Sequence, residues 1–195
     1  MLDLMSYLNS EKVKAYALKN HTEVVQTWGC KEYYKISLLS GRGVIHYDSR
    51  CYEVNGSTLL LSKPGNPCTW KLAASKEPLF TTLFTADFLD GSCFHGVAES
   101  EFLQSQQAPV FGLEPKQTKF IASVFRKMME EQNSLYRYKS ELLQNHICLL
   151  LHAALRMQPA IPCLEPHAWA ITSSAQLVAF VEMQFPPMAT LVHYN

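Results

Sequence analysis

The feature that most constrains this chain is a change of hydrophobic period at Pro115. Before it, short aliphatic and aromatic runs alternate with turn chemistry, at residues 33–40, 42–48, 50–54, 58–62, 68–72 and 79–85. The punctuation is Gly41-Arg42-Gly43, Asp48-Ser49, Asn55-Gly56, Pro64-Gly65-Asn66-Pro67 and Ser75-Lys76-Glu77-Pro78. Turn signals spaced by roughly 8 to 12 residues predict an antiparallel sandwich or barrel. Asn55-Gly56 reads as a tight hairpin, because both residues tolerate positive φ. From Pro115 the period is helical. Proline suits the first position of a helix, where its missing N–H is no loss. Phe120, Ile121, Val124, Phe125, Met128 and Met129 then fall on one apolar stripe. A polar break at 130–133 precedes a second helix over 134–157, which Pro159 and Pro162 prevent from continuing. A short third helix is expected over 173–184, opened by the capping-box pair Ser173 and Gln176 and closed by Pro186-Pro187.

Between Ile147 and Leu155 only His152 is polar, so the second helix is apolar nearly all round and needs cover on more than one side. A second copy of the chain is the economical cover, and a homodimer is expected with Leu142, His146, Leu149, Leu150 and Ala153 at its interface. The alternative is a helix wholly buried within one subunit. The same apolar run is about half the length of the ~20 residues needed to span a bilayer, so no membrane association is expected. Met1-Leu-Asp-Leu-Met-Ser-Tyr7 has neither a basic leader nor a continuous apolar stretch, which does not describe a secretory signal. Six cysteines (Cys30, Cys51, Cys68, Cys93, Cys148, Cys163) are scattered with no C-x-x-C pair, as expected of reduced thiols in a cytoplasmic protein. Lysine plus arginine number 17 against 17 acids, so the surplus of cations that nucleic-acid and polybasic membrane binders carry is missing.

Chemistry is sparse. There is no G-x-S-x-G elbow, P-loop or G-x-G-x-x-G fingerprint. A cupin-type metal site wants clustered histidines with a carboxylate, and the corresponding stretch offers His46, Asp48 and Glu53. Those three could hold iron or manganese in a small metalloenzyme, a dioxygenase or sugar-phosphate isomerase. The simpler account makes His46 a partly buried polar group, with no metal, no cofactor and no catalytic residue. Cys93 and His95 supply two ligands, which do not make a site. His146 and His152 do not share a helix face. By strand alternation one face gathers Tyr34, Ile36, Leu38, Val44, His46, Cys68 and Trp70, with Phe80, Thr82 and Phe84, an apolar lining with polar handles suited to a small-molecule effector. The same composition describes an ordinary core, and a one-residue slip in register would reverse the face.

The run Tyr34-Lys-Ile-Ser-Leu-Leu-Ser-Gly-Arg-Gly-Val-Ile-His-Tyr47 and the segment Leu59-Leu-Leu-Ser-Lys-Pro-Gly-Asn-Pro-Cys-Thr-Trp70 resemble the N-terminal cupin-like domain of AraC-family transcription regulators. Phe84-Thr-Ala-Asp-Phe-Leu89 is similar to a stretch of that family, and residues 125–131 and 136–143 resemble the two helices that pack its subunits together. Residues 180–186 are similar to the short helix that leads toward its DNA-reading head. The resemblance implies an α+β chain: an antiparallel jelly roll or cupin-like barrel over 1–112 that binds an effector, then a helical hairpin and short third helix over 113–195 that dimerise it. The family's two helix-turn-helix units have no counterpart before Asn195, and no lysine or arginine follows Arg156. DNA binding is therefore expected only of a full-length form. A truncated product that acts through mixed dimers with a full-length paralogue is a further reading.

Overall fold

The computed structural model describes residues 12–19, 24–28, 31–47, 50–73, 77–89, 110–157 and 159. Among them are seven strands, all paired antiparallel, and two α-helices. The strands are β1 (Val13–Leu18), β2 (Val24–Trp28), β3 (Tyr33–Tyr47), β4 (Arg50–Ser62), β5 (Cys68–Leu72), β6 (Leu79–Thr85) and β7 (Val110–Leu113). The helices are α1 (Pro115–Gln132) and α2 (Lys139–Leu155). A 3-10 turn, Ala86–Phe88, follows β6. The third helix expected at 173–184 lies outside the described residues.

β3 organises the sheet. It pairs with β4 along nearly its whole length, while its other edge is shared. Tyr33–Leu38 pair with β6, and Gly43–Tyr47 pair with β5. β1 then extends the sheet beyond β6, β2 beyond β5, and β7 beyond β4. Two of the expected turns are corrected here. Gly41-Arg42-Gly43 and Asn55-Gly56 lie inside β3 and β4, which run unbroken for 15 and 13 residues. They sit opposite one another, Gly41 against Gly56 and Arg42 against Asn55. Both glycines have positive φ, 143° at Gly41 and 111° at Gly56, a region closed to most side chains. The positive-φ chemistry read as a hairpin thus sets the path of a continuous ribbon. Gly43 has a different task. A Cβ there would stand 2.0 Å from the Lys71 carbonyl oxygen, so the close approach of β5 requires hydrogen at that position. The Pro64-Gly65 turn is where it was expected, with the Asn66 N–H donating to the Lys63 carbonyl at 3.3 Å.

Pro115 opens α1 as expected. Glu114 caps it in a reciprocal capping box, its backbone N–H donating to Gln117 Oε1 at 2.8 Å. Ile121, Ala122, Val124, Phe125 and Met128 face inward, while Phe120 is exposed. α2 starts five residues later than the period suggested. The Ser134 hydroxyl donates to Glu131 Oε1 at 2.7 Å and accepts from the Tyr136 N–H at 3.2 Å, which holds 134–138 as a turn.

The sheet carries a hydrophobic cluster on each face. Ile36, Leu38, Leu59, Leu61, Phe80, Phe84 and Phe111 pack under α1 and α2, with Ile121, Phe125, Met128, Leu143, Ile147 and Leu150 among the helix residues they meet. The Gln132 side chain fastens the end of α1 to β1: Oε1 accepts from the Ala15 N–H at 3.0 Å and Nε2 donates to the Ala15 carbonyl at 2.7 Å. The opposite face gathers Leu39, Ile45, Tyr47, Tyr52, Leu60, Cys68, Trp70, Leu72, Leu79, Leu83 and Val110.

Gly43→Ala is expected to lower stability by about 1–3 kcal/mol, since backbone on both strands must move to admit one methyl group. Gly112→Ala, which meets nothing within 4 Å, is the control and should change stability by no more than about 0.5 kcal/mol. Urea unfolding of the two variants checks this, and equal losses would contradict the close-approach account.

Candidate functional site

Alternation along β3 decides which side chains meet. Register places Tyr34 against Phe84, Ile36 against Thr82 and Leu38 against Phe80, and these residues point toward the helices. Tyr34 and Phe84 stack with ring centroids 5.4 Å apart. Trp70 pairs with Ile45 and joins the opposite cluster, together with Cys68. The face expected to line a pocket is therefore divided. Tyr34, Ile36, Leu38, Phe80 and Phe84 lie on the helix side, and Trp70 and Cys68 on the other. Val44 and His46 have the parity of the first group but lie past the glycine pair, where the neighbours are Glu53 and Lys71 for Val44, and Cys51 and Thr69 for His46. His46 is half-buried, and burial lowers its pKa from the ordinary histidine value.

The face away from the helices holds the groups that need explaining. From Lys35 through Ser40 every residue of β3 is buried, so polar residues at odd positions are carried inside. Lys35 is 1% exposed and is the one charged side chain among the buried residues described. Its Nζ lies 5.9 Å from the centroid of the Trp70 ring, within cation–π range. Burial pulls the Lys35 pKa down to about 8, opposed by the charge of Cys68. Burial pushes the Cys68 thiol up to about 11, opposed by Lys35 and by the Ser62 hydroxyl. At neutral pH the site thus holds an ammonium, mostly protonated, beside a neutral thiol. The Ser37 and Thr81 hydroxyls, 3.1 Å apart, share a hydrogen bond on the same face. Trp70 is fully buried, and its Nε1–H has no acceptor among the described residues. Asn66 Nδ2 donates to the Tyr47 hydroxyl at 3.5 Å at the β5 end of the cluster. Sequence reasoning missed Lys35 because lysine is normally solvated. The available signal was its place in a strand whose neighbours on both sides are apolar.

Among the described residues the metal set is not assembled. Glu53 sits opposite Val44 rather than His46, and Asp48 lies outside the described residues, as do Cys93 and His95. Among the described residues no group of three or more His, Cys, Asp or Glu is placed to hold a metal ion. Of the expected interface residues, Leu150 is wholly enclosed by its own chain, Leu149 is 43% exposed, and Leu142, His146 and Ala153 are half-covered. His146 Nδ1 lies 2.6 Å from the Leu142 carbonyl oxygen. Much of the apolar surface of α2 is thus covered from within the chain.

No protein-family model and no curated relative matches the chain. Solved structures do. The AraC-like transcriptional activator CuxR superposes with a TM-score of 0.55 at 9% identity, over 91% of this chain and 63% of CuxR. The fold is the one that this regulator carries. Apo ToxT of Vibrio cholerae superposes with a TM-score of 0.52 at 6% identity, over 95% of this chain and 69% of ToxT. The chain spans less than two thirds of the length of CuxR.

Replacing Lys35 by methionine is expected to stabilise the protein by about 3 kcal/mol at pH 7, from the gap between a folded pKa of about 8 and the ordinary 10.5. A depressed lysine pKa means that protonation favours the unfolded chain. The penalty is complete below pH 8 and fades as pH rises toward 10.5, so the advantage of Lys35→Met should shrink over that interval. The raised Cys68 pKa acts in the other direction only above pH 9. Denaturant unfolding of both proteins from pH 7 to pH 10 reads the difference directly, and a methionine variant less stable than wild type at pH 7 would refute it.

Proposed function

We propose that this chain is the effector-sensing and dimerising part of an AraC-like transcription regulator, working in the cytoplasm. Its sheet is a jelly-roll barrel whose interior is the Lys35–Trp70 face. The observation that carries this reading is that one strand, β3, serves both clusters. Its odd residues enclose the buried polar groups, while Tyr34, Ile36 and Leu38 form the bed on which α1 and α2 rest. A small molecule seated against Lys35 and Trp70 would shift the strands that carry the helices. The shift would change how two chains meet, because packed cores move between discrete arrangements rather than deform smoothly. The likeness to CuxR in fold supports the same reading. Free thiols at Cys51, Cys68 and Cys148 accord with a reducing compartment. Among the described residues no helix is long and apolar enough to cross a membrane. The mechanism is sensing rather than catalysis: the buried polar groups offer hydrogen-bond donors and a cation, and the reading assigns them no reaction.

In this reading the dimer forms along the outer side of α2, through Leu142, His146, Leu149 and Ala153, while Leu150 acts from inside by fixing the helix on the sheet. DNA contact belongs to a full-length form, since the 17 basic residues here are matched by 17 acidic ones and none follows Arg156.

Leu149→Glu is the variant to make, because that side chain is already partly in solvent and its replacement leaves the core intact. Light scattering coupled to gel filtration should show a dimer for wild type and a folded monomer for the variant. A folded Leu149→Glu dimer would remove α2 from the interface, and a monomeric wild type would remove the dimer.

A further inference from the structure

We propose that the outer face of α1 is a docking surface for an acidic, amphipathic α-helix of a partner protein, whose carboxylates pair with Lys116, Lys119 and Lys127 and whose apolar side rests on Phe120 and Ser123. The surface lies on α1 alone, so the inference stands apart from the sensor reading and from the dimer assigned to α2. Three observations carry it. First, charge is segregated along the chain. Residues 115–156 hold seven lysines and arginines against three acids, while the remainder holds ten against fourteen. Second, the cations of the helical hairpin divide into two groups. The Arg126 guanidinium lies 5.5 Å from the Phe80 ring, the Arg137 guanidinium 5.4 Å from the Tyr138 ring, and Lys139 Nζ donates to the Gln132 and Ser134 carbonyls at 3.4 and 3.1 Å. Lys116, Lys119 and Lys127 are exposed and have no partner among the described residues. Lys116 and Lys119 stand one turn apart, where like charges destabilise a helix, and an anionic partner removes that cost. Third, the spacing is that of a helix-packing stripe. Lys116, Phe120, Ser123 and Lys127 recur at i, i+4, i+7 and i+11, so they run along one side of α1 over roughly 16 Å. Phe120 is 44% exposed in the middle of that row. Ser123 beside it is small, and its hydroxyl is already satisfied by the Phe120 carbonyl at 2.7 Å. Lysines at both ends and an apolar contact at the centre match a helix whose carboxylates flank an apolar stripe. The phosphates of a nucleic acid would satisfy the lysines but leave Phe120 in water.

The test uses the full 195-residue protein and the fluorescence anisotropy of a labelled, alanine-rich helical peptide of about fourteen residues, roughly four turns, with one leucine stripe flanked by glutamates. The peptide should bind with a Kd below about 1 mM, and more weakly as salt rises. The double variant Lys116→Glu, Lys127→Glu should weaken it by about tenfold or more, and Phe120→Ala by about fivefold. Far-UV circular dichroism should be unchanged in both, because all three side chains are exposed. Replacing the leucines of the peptide by glutamine should also cost about fivefold. The proposal is overturned if the peptide does not bind, if the double variant binds it like wild type, or if the glutamine peptide binds equally well. Duplex DNA of about twenty base pairs that binds more tightly than the peptide, and is released by the double variant, would overturn it in favour of nucleic acid. A wild-type dimer that the double variant converts to a monomer, read by light scattering coupled to gel filtration, would overturn it in favour of a second copy of the chain.

Discussion

The structure depends on one constraint: the first half of β3 is covered on both faces. A strand in that position has no solvent side on which to place polar residues. Such strands normally read as unbroken apolar runs. This one includes Lys35, Ser37 and Ser40. Its even residues are packed by the helices, and its odd residues lie on the face of the opposite cluster, which includes Leu39 and Leu83 and has Tyr16 packed against it. Neither cluster can repack without moving the backbone of the other. The opposed glycines Gly41 and Gly56 let the β3–β4 ribbon pass from the helix-covered half to the half joined by β5 without breaking its pairing.

A buried lysine is an unfavourable choice for stability alone. Desolvating an ammonium costs several kcal/mol, and an apolar residue of similar volume is commonly neutral or better. Trp70 adds a buried donor that has no acceptor among the described residues, and Cys68 contributes a thiol that burial keeps protonated. Departures from local consistency concentrate where a protein has something to bind or do. On the helix side of β3 the contacts are mainly apolar, with Phe80 stacked on Phe125 at 5.7 Å and the Arg126 guanidinium 5.5 Å from the Phe80 ring. One face of the strand thus holds the helices in place, and the other carries the buried charge and most of the buried polar side chains.

Much of the architecture was legible in the sequence because it rests on period and punctuation. The strands at 68–72 and 79–85, the Pro64-Gly65 turn, the entry of α1 at Pro115 and its apolar stripe all follow from local rules. The errors have a common cause, which is that tertiary pairing reassigned local signals. Positive-φ glycines serve a hairpin and a bent ribbon equally well, and nothing local to Asn55-Gly56 distinguishes the two. The short strands β1, β2 and β7 lie outside the stretch from Gly41 to Pro78 that turn signals punctuate, so nothing local marks their ends. The pocket face was assembled by joining Tyr34, Ile36 and Leu38 to Trp70, a choice that only the pairing of Ile45 with Trp70 could settle. Lys35 was hidden by the ordinary habits of lysine, and Leu150 by the symmetry of an all-round apolar helix.

The central claim is that the Lys35–Trp70 face and the helical surface are energetically coupled through β3. Coupling of this kind is a difference in free energy between states and needs no ligand to be observed. The direct measurement is the dimer dissociation constant by sedimentation equilibrium, for wild type and Lys35→Met, which changes no residue at the helical surface. The account predicts a dimer in both and a shift in the constant of about fivefold or more. Identical constants, or a wild-type protein with no dimer at all, would contradict it.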